Sequence, residues 1–208
     1  MIICDKEKFI FIHIPKNSGT AMTESLQKTY EDTKLLMFCE RDGINIGIDK
    51  MHLYYEVIEQ FIPKNILNKY VKFCIIRNPY DKLYSSWNFI KERHGFNDVN
   101  DFVKYKLDEV FIYGKEIIPG DARVHYRPQY TFVYDEHNNK FADFIIRYEN
   151  LNEDISKLNK KYNLHVPLYD NGNTQKSYIN FFNNESIKKI NNLYKKDFLL
   201  FNYDIINR

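Results

Sequence analysis

The stretch Lys8-Phe-Ile-Phe-Ile-His-Ile-Pro-Lys-Asn-Ser-Gly-Thr20 decides the fold. Its first half is dominated by β-branched and aromatic residues, a composition typical of a buried strand. The proline ends that run, and apolar residues then recur at helical spacing at Met22, Leu26 and Tyr30. The sequence therefore predicts a buried strand, a tight loop and a helix in direct succession.

A second unit with the same order follows further along the chain. An apolar strand is expected over Val71 to Ile76, and the loop Arg77-Asn-Pro-Tyr-Asp81 then leads into a helix that runs to about Arg93. Asn78 is suited to cap this helix, and Pro79 suits its first position because the missing N–H would be unpaired there.

A third strand and two further helices complete the expected domain. The strand is predicted over Phe141 to Ile146 with a helix behind it through Tyr162, and Asn184 is expected to cap a last helix. The apolar stripe of this last helix is Ile187, Ile190, Tyr194, Phe198 and Phe201. Because helices separate the strands, we predict an α/β fold, a three-layer α/β/α sandwich with a parallel sheet, as one domain over residues 1–208.

The composition says more about the cellular compartment of the protein than about its function. The formal net charge is +2 over 208 residues, which gives no reason to expect nucleic-acid binding driven by bulk charge. The three cysteines, at positions 4, 39 and 74, are too scattered for a disulfide framework. Charged residues near the start break any signal-peptide core, and no long apolar run suggests a transmembrane segment. We therefore expect a cytoplasmic setting.

The loop Pro15 to Thr20 is a candidate anion site. Free backbone N–H groups and the positive end of a helix dipole converge where a strand passes into a helix. The kinase pattern GxxxxGK[ST] does not fit, because Gly19 would stand at its lysine and His13 at its first glycine. The loop has Lys16 at its opening turn instead, and the alternative interpretation is a simple turn with a solvated lysine.

A second candidate anion site follows the second strand. Arg77 ends that strand, and Ser85 lies on the next helix, so the two side chains can bracket one phosphate. The alternative is that Arg77 pairs with Asp81 or Glu92. A nucleotide with phosphates at both its 5′ and 3′ positions needs two separated anion grips on neighbouring strands, and the pair of loops offers them.

These two motifs carry a resemblance to a known family. Phe11-Ile-His-Ile-Pro-Lys-Asn-Ser-Gly-Thr20 and Arg77-Asn-Pro-Tyr-Asp-Lys-Leu-Tyr-Ser-Ser86 resemble the 5′-phosphosulfate and 3′-phosphate segments of membrane-type carbohydrate (family 2-like) sulfotransferases and their bacterial relatives. Weaker similarity extends over most of the chain, in His125–Gln129, Arg147–Leu151, Asn173–Thr174 with Tyr178, Tyr194–Phe198 and Phe201–Tyr203. Relatives commonly have Thr-Gly-Gly or Thr-Ala-Gly after the lysine, where this chain has Asn17-Ser18-Gly19, and the substitutes are also small.

The resemblance implies a fold, a donor and a set of binding residues. The fold is that of P-loop NTPase-like sulfotransferases, and the donor is 3′-phosphoadenosine 5′-phosphosulfate, which leaves as adenosine 3′,5′-bisphosphate without a metal. Lys16 is expected to stabilise the leaving oxygen, and Arg77 and Ser85 to hold the 3′-phosphate. The expected 5′-phosphate ligands are the amides of Asn17, Ser18, Gly19, Thr20 and Ala21, with the Thr20 hydroxyl.

The acceptor is expected to be a carbohydrate or another hydroxyl-bearing molecule, and its proton must go to a base. Histidine suits that role near neutral pH. His52 resembles the presumed base of relatives, although Met51 separates it from Lys50, and His125 is its rival. The expected acceptor contacts are His125, Arg127 and Gln129, with Tyr126 as a stacking surface; the alternative is that this loop packs on its own aromatic residues.

Two other functions remain open on the sequence. One is a P-loop kinase that uses ATP and magnesium, which the missing glycine and lysine oppose. The other is a non-catalytic nucleotide- or glycan-binding module of the same fold.

Overall fold

The computed structural model describes residues 1–36, 38–41, 44–58, 60–109, 122–135, 137–169 and 177–208. The strands are β1 (Ile2–Cys4), β2 (Phe9–Ile12), β3 (Thr33–Leu35), β4 (Phe38–Arg41), β5 (Ile44–Asp49), β6 (Val71–Ile76) and β7 (Phe144–Arg147). The helices are α1 (Gly19–Thr29), α2 (Tyr55–Ile58), α3 (Lys64–Lys69), α4 (Pro79–His94), α5 (Val99–Tyr105), α6 (Tyr130–Val133), α7 (Leu151–Tyr162), α8 (Asn184–Leu193) and α9 (Lys195–Phe201). Short 3₁₀ turns cover Lys50–His52, Ala122–Tyr126, Tyr148–Asn150 and Ile179–Phe181.

The main sheet has five strands in the order β3-β1-β2-β6-β7. Its central strands β2, β6 and β7 are parallel, with Phe11 opposite Phe73 and Phe73 opposite Phe144, which confirms the predicted α/β fold. Strand β1 is antiparallel to both β2 and β3. The sequence analysis did not predict the short strands β1 and β3. The turn between Cys4 and Phe9, with Lys8 in a left-handed conformation, folds β1 back on β2 as a hairpin.

Alternate residues of the central strands face opposite sides, and helices cover both. Ile10, Cys74 and Ile76 pack in one apolar cluster with residues of α2, α3 and α6. Phe73 and Ile75 pack in another cluster with residues of α1 and α7. The fully buried strand faces explain why β2 and β6 read as continuous apolar runs rather than as alternating ones. The structure is therefore the three-layer sandwich that the sequence predicts.

The second unit agrees closely with the prediction. Strand β6 has the expected bounds, and Asn78 caps α4 by accepting a hydrogen bond from the Tyr80 amide at 3.0 Å, with Pro79 in the first turn. The third strand begins three residues later than predicted, at Phe144. The reason is that the amides of Phe141 and Ala142 donate to the Val133 carbonyl instead of to a neighbouring strand.

The C-terminal segment corrects one prediction. The expected stripe is buried throughout, at Ile187, Ile190, Tyr194, Phe198 and Phe201. However, the helix is broken into α8 and α9 at Tyr194, whose backbone is not helical. The cap of α8 is Asn183 rather than Asn184, because the Asn183 side chain accepts from the Ser186 amide at 2.8 Å. Most of the stripe packs on α4 and α5, while Phe201 reaches the sheet.

The packing of α1 on the sheet gives a stability prediction. Leu26 is 0 % exposed, and replacing it by alanine should lower the free energy of unfolding by about 2–5 kcal/mol because the cavity is only partly refilled. Leu199→Ala is the matched control, since this leucine is 64 % exposed and its loss should cost less than about 0.5 kcal/mol. Urea unfolding of both variants measures the difference; equal losses would contradict the described packing.

Candidate active site

A cleft of about 470 Å³ opens where β2 and β6 end. It brings together residues of both predicted loops and both candidate histidines. Its lining is His13, Pro15, Lys16, Ser18, Gly19, Thr20, Ala21, Met51, His52, Arg77, Ser85, Phe89, His125 and Tyr148. The carboxyl ends of neighbouring parallel strands are the usual position of ligand sites in open α/β sheets.

The first loop presents a row of backbone amides to this cleft. Lys16 and Ser18 have left-handed backbones, with φ of 66° and 63°, on either side of Asn17. The first amide with an acceptor is that of Met22, which donates to the Ser18 carbonyl at 3.1 Å. Within the described part of the chain, the amides of residues 16–21 donate no hydrogen bond. They lie at the positive end of α1, which makes the loop suited to an anion.

Position 19 requires a glycine because the His13 side chain lies next to it, and not because of its own backbone angle. A Cβ atom at this position would lie 2.0 Å from Cδ2 of His13, so the imidazole occupies the space that a side chain would need. His13 is buried, and its Nδ1 has no hydrogen-bond partner among the described residues. The imidazole therefore supports the floor of the loop.

Lys16 points into the cleft from the loop. Its ammonium lies 4.0 Å from the centre of the Phe89 ring, a cation–π contact with α4. Partial burial lowers the pKa of Lys16, and the nearby Arg77 lowers it further. A partly desolvated ammonium in this position interacts more strongly with an anion than a solvated one does.

Arg77 faces the same cleft from the end of β6. Its side chain is buried, and one guanidinium nitrogen donates to the Lys16 carbonyl at 3.3 Å. The guanidinium also lies over the Tyr148 ring, 4.3 Å from its centre. Its Nε is buried and has no partner among the described residues, so a donor is available for a ligand.

The alternative pairing of Arg77 is not found. No salt bridge joins it to Asp81 or Glu92, all three of which the structure describes, and Asp81 instead accepts from the Tyr178 amide at 2.7 Å. Burial raises the pKa of Asp81. Ser85 lies in the same cleft as Arg77, on α4.

Three histidines lie side by side in the cleft. The ring centres of His13 and His52 are 4.5 Å apart, and those of His52 and His125 are 5.4 Å apart. Nδ1 of His52 is 2.9 Å from the His13 carbonyl oxygen. Because a carbonyl oxygen only accepts hydrogen bonds, Nδ1 must carry the proton of the neutral ring, and Nε2 holds the basic lone pair.

His125 is held differently. Its carbonyl accepts from Lys82 Nζ at 2.9 Å and from Ser86 Oγ at 2.6 Å, while its ring packs on Phe89 with centres 4.7 Å apart. Burial, and then the neighbouring His52, lower the pKa of His125 to about 3. The imidazole is therefore neutral and weakly basic near pH 7.

Two expected acceptor contacts lie in the interior rather than on the cleft. The Arg127 guanidinium stacks on Tyr54, 3.6 Å from the ring centre, and its Nε donates to Thr131 at 3.1 Å. Gln129 is 0 % exposed, and its amide is hydrogen-bonded inside the protein. Tyr126, expected as a stacking surface, is also fully buried. The aromatic partners of this segment come from other parts of the chain, with Tyr126 packed on Phe102 and Arg127 on Tyr54.

The side chain of Asn17 has a structural role that the sequence did not predict. Its side chain is buried under the loop, where Nδ2 donates to the Ile75 carbonyl at 2.8 Å and to Gln129 Oε1 at 2.7 Å. Only the Asn17 amide remains for a ligand of the cleft. The side chain ties the loop to the end of β6.

Two cleft residues escaped the sequence analysis. Phe89 lies one helical turn after Ser85, a spacing that places both on one face of α4 and that could have revealed it. Tyr148 follows the end of β7 and supports Arg77. Both are aromatic, whereas the sequence signals of an anion site are charged and hydroxyl groups. The residues Asn173, Thr174, Gln175 and Lys176, and the side chains of Cys39 and Lys50, fall outside the described structure.

The fold and the cleft together define an α/β protein whose two strand-end loops open on one cavity. The chain matches the model of the sulfotransferase family over residues 1–204, and it belongs to that family. No curated protein and no solved structure matches it. In the described ranges, no helix has both the length and the apolarity to cross a membrane, and no three His, Cys, Asp or Glu residues are grouped as metal ligands.

The contact between His13 and Gly19 predicts a coupled pair of substitutions. Gly19→Ala should lower the free energy of unfolding by about 1–3 kcal/mol, because its methyl group would overlap the imidazole. In a His13→Ala background the same change should cost much less, since the space is then open. Urea unfolding of the two single variants and the double variant measures this coupling; additive losses would contradict the packing.

The low pKa of His125 predicts a pH dependence of stability. Between its ordinary pKa of 6.5 and about 3, the unfolded chain binds a proton that the folded chain does not, so the free energy of unfolding falls as pH falls. The groups that disfavour the charged ring are His52, Lys16, Lys82 and Arg93.

His125→Phe should therefore lose less stability than the wild type between about pH 7 and about pH 5. Some loss should remain, because burial also lowers the pKa of His13. His165→Phe, at an exposed position, is the control. If the free energy of unfolding of His125→Phe depended on pH as steeply as that of the wild type, the His125 ring would have to be solvated.

Proposed function

We propose that this sulfotransferase moves a sulfuryl group from 3′-phosphoadenosine 5′-phosphosulfate to a hydroxyl of a carbohydrate-like acceptor. The observation that carries the proposal is the joint cleft of the two loops: Lys16 and Arg77 enter it from neighbouring strand ends and are linked by a hydrogen bond. A nucleotide with both a 5′- and a 3′-phosphate matches two cationic grips, whereas a simple nucleoside triphosphate would leave one of them empty.

The residues present fit this donor. The unused amides of the first loop suit the 5′-phosphate, and they are joined there by the exposed Thr20 hydroxyl. The buried, unpartnered Nε of Arg77 suits the 3′-phosphate, because an orphaned buried donor costs free energy until a ligand satisfies it. Ser85 adds a hydroxyl to the lining of the same cleft.

The transfer requires a base and a stabilised leaving group. A bond forms between the acceptor oxygen and sulfur, the bond from sulfur to the 5′-phosphate oxygen breaks, and the hydroxyl proton leaves. In this proposal the Lys16 ammonium, on the first loop, stabilises the negative charge that develops on the departing oxygen. Adenosine 3′,5′-bisphosphate and a sulfate ester are the products.

We assign the base role to Nε2 of His52. The hydrogen bond from Nδ1 to the His13 carbonyl fixes the tautomer that leaves the lone pair on Nε2. His125 is the weaker candidate, because a group with a pKa of about 3 is a poor proton acceptor near neutral pH. It is better suited to packing against the acceptor beside Phe89.

A carbohydrate-like acceptor is supported by the aromatic residue at the cleft. Phe89 is 55 % exposed although it lies next to Lys16 and His125, and an exposed ring beside polar groups suits the apolar face of a sugar. Arg127 and Gln129 lie in the interior, so the proposed acceptor contacts do not include them.

Ligand binding separates this proposal from its rivals. Adenosine 3′,5′-bisphosphate at about 100 times its Kd should stabilise the protein by about 2.7 kcal/mol in thermal unfolding. ATP with magnesium should stabilise it less at the same concentration, and the reverse order would favour a kinase. Bisphosphate binding without transfer of labelled sulfate to any hydroxyl of an acceptor library would favour a non-catalytic module.

Substitution of the two reacting groups tests their roles. Lys16→Ala should lower kcat for sulfate transfer by about 100- to 1000-fold, because the leaving oxygen loses its cation. His52→Ala should lower kcat by about 100- to 10,000-fold, and His125→Ala should lower it less.

Lys28→Ala is the matched control for charge, because Lys28 is exposed at the far end of α1 and should leave kcat unchanged. A His52→Ala variant with near-normal turnover would refute the base assignment. Equal loss in Lys16→Ala and Lys28→Ala would refute the role of Lys16.

A further inference from the structure

The side chain of Gln129 holds the backbone of Arg77 at both of its polar groups. Oε1 of Gln129 accepts from the Arg77 amide at 2.8 Å, and Nε2 donates to the Arg77 carbonyl at 2.8 Å. Such a paired contact fixes a backbone in the way that an added strand would. The start of the second loop is therefore set by a side chain that comes from outside the sheet.

The same Gln129 oxygen also holds the first loop. Oε1 accepts a second hydrogen bond, from Nδ2 of Asn17 at 2.7 Å. Asn17 is the neighbour of Lys16, and Nδ2 also donates to the Ile75 carbonyl at 2.8 Å. One buried amide thus joins the loop that carries Lys16 to the loop that carries Arg77.

Gln129 is itself fixed by a charged residue in the core. Its backbone amide donates to Asp197 Oδ2 at 2.9 Å, and the Tyr130 amide donates to Asp197 Oδ1 at 2.8 Å. Lys82 holds the preceding turn by donating to the Arg127 carbonyl at 3.0 Å. Gln129, Asp197, Lys82 and Arg127 are all buried, so the amide has little freedom to change its position.

We propose that Gln129 is a positioning residue that sets the separation between the two anion grips and thereby selects a nucleotide that carries both phosphates. The inference rests on the proposed function, because it assumes that each loop binds one phosphate of the same donor. When two linked groups bind two sites at a matched distance, the second contact is intramolecular and strong, and this gain is lost when the spacing changes. Each separate grip would keep its own weaker affinity.

The test compares three ligands: adenosine 3′,5′-bisphosphate, adenosine 5′-monophosphate and adenosine 3′-monophosphate. Their Kd values are measured by calorimetric titration of the wild type and of Gln129→Met, which keeps a similar volume but cannot make the paired contact. The preference is the Kd of a monophosphate divided by the Kd of the bisphosphate. We expect this ratio to be at least about tenfold smaller in the variant than in the wild type. The Kd values of the two monophosphates should change much less than that of the bisphosphate.

Asn159→Leu is the matched control. Asn159 makes the same paired contact with the backbone of Val166, at 2.8 Å and 2.9 Å, but its partner lies outside the cleft. Its loss should lower the melting temperature without altering the ligand preference. If Gln129→Met does not fold, Asn17→Ala cuts the same bridge at the first loop and should show the same loss of preference.

The outcomes separate this inference from the function on which it rests. A wild type that binds none of the three nucleotides overturns both. A wild type that prefers the bisphosphate, with variants in which all three affinities fall equally or stay unchanged, overturns only the positioning role of Gln129. A loss of preference in the bridge variants alone supports it.

Discussion

The buried amide of Gln129 is the contact on which the cleft depends. The two loops belong to separate strand-helix units, and the parallel pairing of β2 with β6 brings their strand ends side by side. Strand pairing alone does not fix how each loop leaves the sheet. The hydrogen bonds from Asn17 and to Arg77 do this, because they meet at one side chain that has no exposed atoms.

This arrangement buries two charged side chains, which costs desolvation free energy. Lys82 and Asp197 are buried, and each is stabilised by the backbone groups it holds and by the charge of the other. Burial lowers the pKa of Lys82 and raises that of Asp197, and the attraction between the two charges opposes both shifts. Buried charges of this kind add little net stability but favour one arrangement of the chain around them. Here that arrangement positions the turn that carries His125.

The sequence predicted the architecture well because its signals are local. Apolar runs predicted β2 and β6, and Asn78 with Pro79 predicted the start of α4. The short strands β1 and β3 carry too few residues to show a period. They are held by the pairing of β1 with β2 and of β3 with β1, which the sequence alone does not show. The break at Tyr194 was missed because the apolar stripe continues through it.

The candidate site was predicted in part, for a related reason. Loop residues such as Lys16 and Arg77 stand next to strands, so the strand prediction placed them in one cleft. Gln129 was expected at the acceptor, since nothing in its neighbourhood shows that its partners are Arg77 and Asn17, which are distant in sequence.

The most direct measurement is a crystal structure with bound adenosine 3′,5′-bisphosphate. The account predicts the 5′-phosphate on the loop amides beside Lys16 and the 3′-phosphate on Arg77; a nucleotide that contacts neither residue would contradict it.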